Sequence, residues 1–252
     1  MRRVLLTAAL SGTLWAQAPG PPAVAPQPDT AKQTDRMMKK LADWPDLARY
    51  RDEDLSLGAP KPGEQRVVFL GASITDFWGR KYGEFFPGKP YVNRGISGQV
   101  TSQLLVRFQQ DVVHLSPAAV IIADAGANNI SGNAGPATLE MFQNDVVSMV
   151  AVARAHHIRV ILASLLPASR FPWQPEARPA AEIREWNAWL KQYAERQRMI
   201  YLDYYSALVD EQGGMKPELA FDGAVHPNTA GYAVMQPLAE KAIAEALAGT
   251  VP

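Results

Sequence analysis

Cysteine is absent from the 252 residues, histidine occurs only four times, and neither sign of charge predominates. The first absence excludes thiolate nucleophiles, cysteine-based metal sites and a lipid-modified N-terminal cysteine. Lys+Arg and Asp+Glu both number 25, so the chain has no basic field to draw in nucleic acid or an anionic membrane. Beyond the first residues, no apolar run is long enough to span a bilayer, and stable membrane association is not expected. No HExxH or comparable ligand spacing occurs, which argues against a zinc site. His114, His156 and His157 lie near the ends of predicted helices, where imidazolium is mildly favourable and a structural role suffices. With 47% hydrophobic residues, a chain of this length suits one globular domain that needs no disulfide staples.

What is present begins with a targeting pattern. Arg2 and Arg3 precede an apolar run over 4–16 that is short for a membrane span, and Ala16-Gln17-Ala18 offers small residues at a cleavage spacing. Residues 1–18 therefore read as an export signal, with a cut after Ala16 or a short membrane anchor as alternatives. The expected location is periplasmic or extracellular. Residues 19–30 are proline-rich and read as an extended linker. Residues 31–252 read as one domain with a helical lead-in over 34–54, broken or re-aimed at Pro45.

Short apolar runs at 66–70, 91–93, 118–124, 159–166 and 199–204 read as strands, several of them covered on both faces. Helical patterns are predicted over 75–86, 99–111, 136–156, 181–197 and 229–248. This alternation predicts an α/β fold: a three-layer α/β/α arrangement around a mostly parallel five-stranded sheet. Ligands in such folds sit at the carboxyl ends of the strands. Four segments at those ends or in the last loop carry chemistry: Gly71-Ala72-Ser73, "NRGISG" (93–98), "AGANNISG" (125–132) and "FDGAVHPNTAGY" (221–232).

Each segment has an ordinary explanation beside a catalytic one. Ser73 could cap a helix, and Asn128 and Asn129 could stabilise a turn. Gly95 could serve a tight turn. His226, four residues after Asp222, could be a structural pair or a general base whose tautomer the carboxylate fixes. Two other patterns are rejected. "GEFFPGKP" (83–90) resembles a P-loop but has Pro90 at the hydroxyl position, and the GxSxG elbow is missing after Ser73.

Together these segments resemble the SGNH, or GDSL, hydrolases, serine esterases and lipases with a flavodoxin-like α/β/α fold. Gly71-Ala72-Ser73 is similar to the nucleophile block, Gly95 to the oxyanion glycine, Gly126-Ala127-Asn128-Asn129 to the block bearing the oxyanion asparagine, and Asp222 to His226 to the block that ends the triad. The likeness covers about residues 64–245. Ala72 and Asn129 stand where the family has Asp. Asp222 stands four residues before His226 rather than three, so the added residue must bulge if the carboxylate is to reach Nδ1; a Ser–His dyad with a weaker orienting group is the alternative.

The resemblance implies a triad of Ser73, His226 and Asp222, with the Ser73 and Gly95 N–H groups and the Asn128 side chain as oxyanion donors. It implies no metal or organic cofactor. Trp78 and Trp173 are expected at the substrate rim, where aromatic faces suit sugar rings. The implied activity is hydrolysis of short, above all acetyl, esters on carbohydrates, whether small molecules or polysaccharides. A lysophospholipase or short-chain lipase, and a catalytically inactive carbohydrate-binding module, are the alternatives.

Overall fold

The structure, a computed structural model, describes residues 30–123 and 126–249. The expected signal and almost all of the linker lie outside the described residues. The chain divides into two units between Lys39 and Lys40. Helix α1 (Thr30–Ala42) crosses that division. The expected lead-in helix is interrupted beyond Ala42: Asp43 accepts the backbone N–H groups of Leu47 and Ala48, and Asp46 has a positive φ of 58°. Helical structure resumes at α2 (Arg51–Leu57).

The sheet contains β1 (Val67–Gly71), β2 (Tyr91–Gly95), β3 (Ala119–Ile122), β4 (Arg159–Ala163) and β5 (Ile200–Leu202). All pairings are parallel and the order is β2-β1-β3-β4-β5. The alternation of side chains across the pleat divides the core. Val68, Leu70, Val120, Ile122, Val160 and Leu162 pack with residues of α4 (Thr101–Asp111), α6 (Leu139–Ala155) and α7 (Ala180–Arg196). Val67, Phe69, Ala119, Ile121, Ile161 and Ala163 face the other way, with residues of α8 (Tyr205–Leu208) and α9 (Thr229–Ala248). Both faces are covered, which explains the nearly continuous apolar strand sequences.

The helix that begins at Ser73 is much shorter than its expected span of 75–86. It is α3 (Ser73–Phe77), and the chain leaves it through extended Trp78 and Gly79, whose φ is +78°. The Asn93 side chain explains the stop. Its Nδ2 donates to the carbonyls of Thr75 and Trp78 at 2.6 and 3.1 Å, satisfying groups at the helix end. The following loop folds over an aromatic cluster in which Trp78 packs on Phe69, Phe85, Phe86 and Tyr232.

At the carboxyl edge of β1 and β2 lies a buried cation. Arg107 Nη2 donates to the carbonyls of Gly71 and Arg94 at 3.0 and 2.8 Å, Nε to Gln99 at 2.7 Å, and Nη1 to Asp111 at 2.9 Å. Replacing Arg107 with Met should cost about 3–5 kcal/mol in urea unfolding, because the buried Asp111 charge loses its partner. Replacing Asp111 with Leu as well should restore part of that loss; a double variant no more stable than Arg107→Met would contradict the charge origin of the effect.

Candidate active site

Ser73 is the first residue of α3, and its cap residue Ala72 makes no side-chain cap bond. The Ser73 hydroxyl is directed elsewhere, lying 2.9 Å from His226 Nε2. The other ring nitrogen, Nδ1, lies 2.6 Å from Asp222 Oδ2. With Nδ1–H donating to the carboxylate, the Nε2 lone pair faces the serine, as a general base requires.

The extra residue between Asp222 and His226 is accommodated by Gly223, whose φ is +65°. The turn this creates brings three successive N–H groups onto one acceptor. Ala224, Val225 and His226 donate to Asp222 Oδ1 at 3.0, 2.9 and 3.1 Å. One carboxylate oxygen therefore holds the loop and the other holds the imidazole. Burial alone raises the Asp222 pKa, but the His226 bond and the three amide bonds outweigh it and hold the carboxyl well below the usual range.

The expected oxyanion donors divide. Ser73 N–H opens α3 and has no intrahelical acceptor available to it. Asn128 lies in α5 (Gly126–Ile130) and is buried, with Nδ2 donating to the Gln99 carbonyl at 2.8 Å. Gly95 does not fit the expectation. Its N–H donates to Asn93 Oδ1 at 2.9 Å, and its carbonyl accepts the Tyr50 hydroxyl. Its lack of a side chain serves packing: an added Cβ would sit 2.1 Å from the Asp76 nitrogen of α3.

The second glycine of "NRGISG" has the properties expected of a donor. Gly98 is exposed, adopts a φ of +83°, and has nothing within 4 Å of where a Cβ would lie. Its N–H makes no hydrogen bond to the described residues. The sequence signal for Gly98 is its place beyond the strand, where an amide is not needed for the sheet. Asn129, adjacent to Asn128, has a separate structural task. It accepts the Thr101 N–H at 3.1 Å and donates to the Thr101 hydroxyl at 3.0 Å, holding the start of α4.

The rim also differs from expectation at one tryptophan. Trp78 is only 2% exposed and its indole N–H donates to the Glu84 carbonyl, so it is a core residue and cannot meet substrate. Trp173 is 44% exposed, with its ring 6.2 Å from that of His226. Phe77 and Phe221, which were not singled out from the sequence, lie 5.3 and 5.5 Å from the same imidazole. Tyr82 stacks on Phe221 at 4.6 Å, and Lys81 Nζ lies 3.9 Å from the Phe77 centroid. The basic residues of a separate cavity of about 250 Å³, Arg154, Arg159 and Arg198, lie near the amino ends of β4 and β5, away from this edge. Among the described residues, no group of three or more His, Asp or Glu side chains is placed to hold a metal ion, and no helix is long and apolar enough to cross a membrane.

Because the Asp222 pKa is depressed in the folded state, the stability it contributes is present above about pH 3.9, its ordinary value, and is lost as pH falls through the lower folded value. The stability difference between the wild type and Asp222→Asn, followed by urea unfolding, should therefore be greatest near neutrality and shrink below pH 4. A difference that is constant across that range would rule out the linkage. Gly223→Ala should destabilise the fold by about 1–2 kcal/mol through its left-handed backbone.

Residues 56–234 match the GDSL-like lipase/acylhydrolase family. A Bacteroides fragilis protein described as an acylhydrolase is 42% identical, with a TM-score of 0.78, over 81% of this chain and 99% of that one. A GDSL-like lipase from Bacteroides thetaiotaomicron is 39% identical, with a TM-score of 0.77, over 81% and 100%. An acetylxylan esterase from Geobacillus stearothermophilus, solved as a catalytic mutant, shares the fold at 20% identity and a TM-score of 0.57, over 74% and 95%. A search of curated proteins gives no match. By its sequence over residues 56–234 and by its parallel sheet, the chain belongs to the GDSL-like lipase/acylhydrolase family and is an ester hydrolase.

Proposed function

We propose that this ester hydrolase is an exported serine esterase that removes short acyl groups, above all acetyl, from carbohydrates. The observation that carries the catalytic part is the continuous hydrogen-bonded line from Ser73 through His226 to Asp222. His226 Nε2 takes the hydroxyl proton as Ser73 Oγ attacks the acyl carbonyl. The resulting oxyanion is met by the N–H groups of Ser73 and Gly98 and by Asn128 Nδ2. The tetrahedral intermediate collapses, the alcohol leaves with the proton held by His226, and an acyl-serine remains. Water then attacks that ester with His226 again as base, and the acid is released with Ser73 restored.

The substrate assignment is supported by the aromatic surfaces around the imidazole. Exposed Trp173 and Phe221, with half-buried Phe77, offer flat apolar faces beside polar groups, a combination suited to the C–H faces of a sugar ring. The acetylxylan esterase with the same fold acts on such an ester, and its low identity lends the fold alone. Export is supported by the basic start, short apolar run and small-residue cleavage pattern of residues 1–18. The same aromatic faces would also suit an acyl chain, which keeps the lysophospholipase or short-chain lipase reading as the competitor.

Ser73→Ala should abolish hydrolysis of p-nitrophenyl acetate and labelling by a fluorophosphonate probe while leaving the melting temperature nearly unchanged. Asn128→Ala should lower kcat by about 10²–10³. Near wild-type activity in Ser73→Ala would sink the nucleophile assignment. A panel of p-nitrophenyl C2–C12 esters beside acetylated xylan and lysophospholipid tests the substrate; a preference for long chains or lysophospholipid would overturn the carbohydrate reading.

A further inference from the structure

An asparagine that stabilises an oxyanion has a geometric problem: its amide has two ends, and only the nitrogen end is useful. Rotation by 180° would exchange a donor for an acceptor and present oxygen to a developing negative charge. The side chain of Asn128 is fixed against this by two contacts of opposite kind. Its Nδ2 donates one hydrogen to the Gln99 carbonyl at 2.8 Å. Its Oδ1 accepts from Asn133 Nδ2, also at 2.8 Å. In the reversed orientation, oxygen would face oxygen at Gln99 and an amide nitrogen would face an amide nitrogen at Asn133.

Asn133 is in turn held. Its Oδ1 accepts the Ser131 hydroxyl at 2.8 Å, and its backbone N–H donates to the Asn128 carbonyl at 3.0 Å. Its Nδ2 also approaches the Gly98 carbonyl at 3.4 Å, next to the backbone amide of the Gly98 loop. The second Nδ2 hydrogen of Asn128 has no partner among the described residues. A chain of oriented dipoles thus runs from Ser131 through Asn133 to Asn128, and it ends on one unused N–H.

We infer that Asn133 is a positioning residue for ester hydrolysis: it locks the Asn128 amide with nitrogen toward the oxyanion. This rests on the oxyanion role proposed for Asn128. Asn133 is exposed and touches no group of the triad, so its removal leaves Ser73, His226 and Asp222 in place. What is lost is the pre-set orientation of a donor whose interaction is worth most in the transition state.

The test is a double-mutant cycle with p-nitrophenyl acetate, recording kcat, KM and melting temperature. Asn133→Ala should lower kcat roughly 10- to 100-fold, with KM and melting temperature little changed. Asn133→Asp, which keeps the shape but cannot donate, should lose at least as much. In an Asn128→Ala background, Asn133→Ala should have almost no further effect, since the group it orients is gone. Near wild-type kcat in Asn133→Ala, or the same fold-loss in both backgrounds, overturns the inference. If Asn128→Ala is itself fully active, the oxyanion role fails and the role of Asn133 falls with it; that outcome is distinguished because Asn128→Ala alone reveals it.

Discussion

The buried Arg107 guanidinium draws together backbone and side-chain groups at the carboxyl edge of the parallel sheet. It donates to carbonyls near the ends of two neighbouring strands, to the side chain of Gln99 and to Asp111. A charge with 0% exposure is costly to desolvate, and an apolar residue of similar volume would often fold as well. Its value lies in position. Gly71 stands two residues before Ser73. Arg94 lies in β2, four residues before Gly98, and the Gln99 backbone carbonyl is the acceptor for Asn128. One planar cation therefore ties the paired ends of β1 and β2 to the Gln99 segment and to α4.

Around that clamp, other polar side chains take over backbone groups that regular structure cannot satisfy. Asn93 ends α3 and also accepts the Gly95 N–H; Asn129 starts α4; Asp222 gathers three amides of the final loop. Each brings one of the site's segments to a rigid element. Ser73 is then held by a strand and the short helix after it, and His226 by a loop whose carboxylate fold also sets its tautomer. Such preorganisation removes reorganisation from the reaction, which is where electrostatic catalysis gains most.

The same economy governs the rim. Trp78, at a nominally favourable position near Ser73, is buried because the chain turns away at Gly79 and folds its aromatics onto Phe69. The faces beside His226 come instead from three separate places: Phe77 at the end of α3, Phe221 beside Asp222, and Trp173 in the loop after β4. Their convergence forms a polar centre with flat apolar sides.

Much of this was legible in the sequence. Apolar runs and their spacing specified a mostly parallel five-stranded sheet, because strand periodicity and helix amphipathicity are local properties; Ser73 and Asn128 were candidates from their places beyond strands, and Asp222 and His226 from the loop before the last helix. The length of α3, the burial of Trp78 and the roles of the two glycines were decided by tertiary structure. Gly95 and Gly98 look alike in "NRGISG", but one amide is claimed by Asn93 and the other is left exposed in a left-handed turn. The spacing of Asp222 and His226 signalled a bulge without saying whether it could close. Closure came from Gly223 and three amides converging on one oxygen. The physical reason is general: a sequence lists donors and acceptors, and only the folded chain determines which of them are already paired with one another.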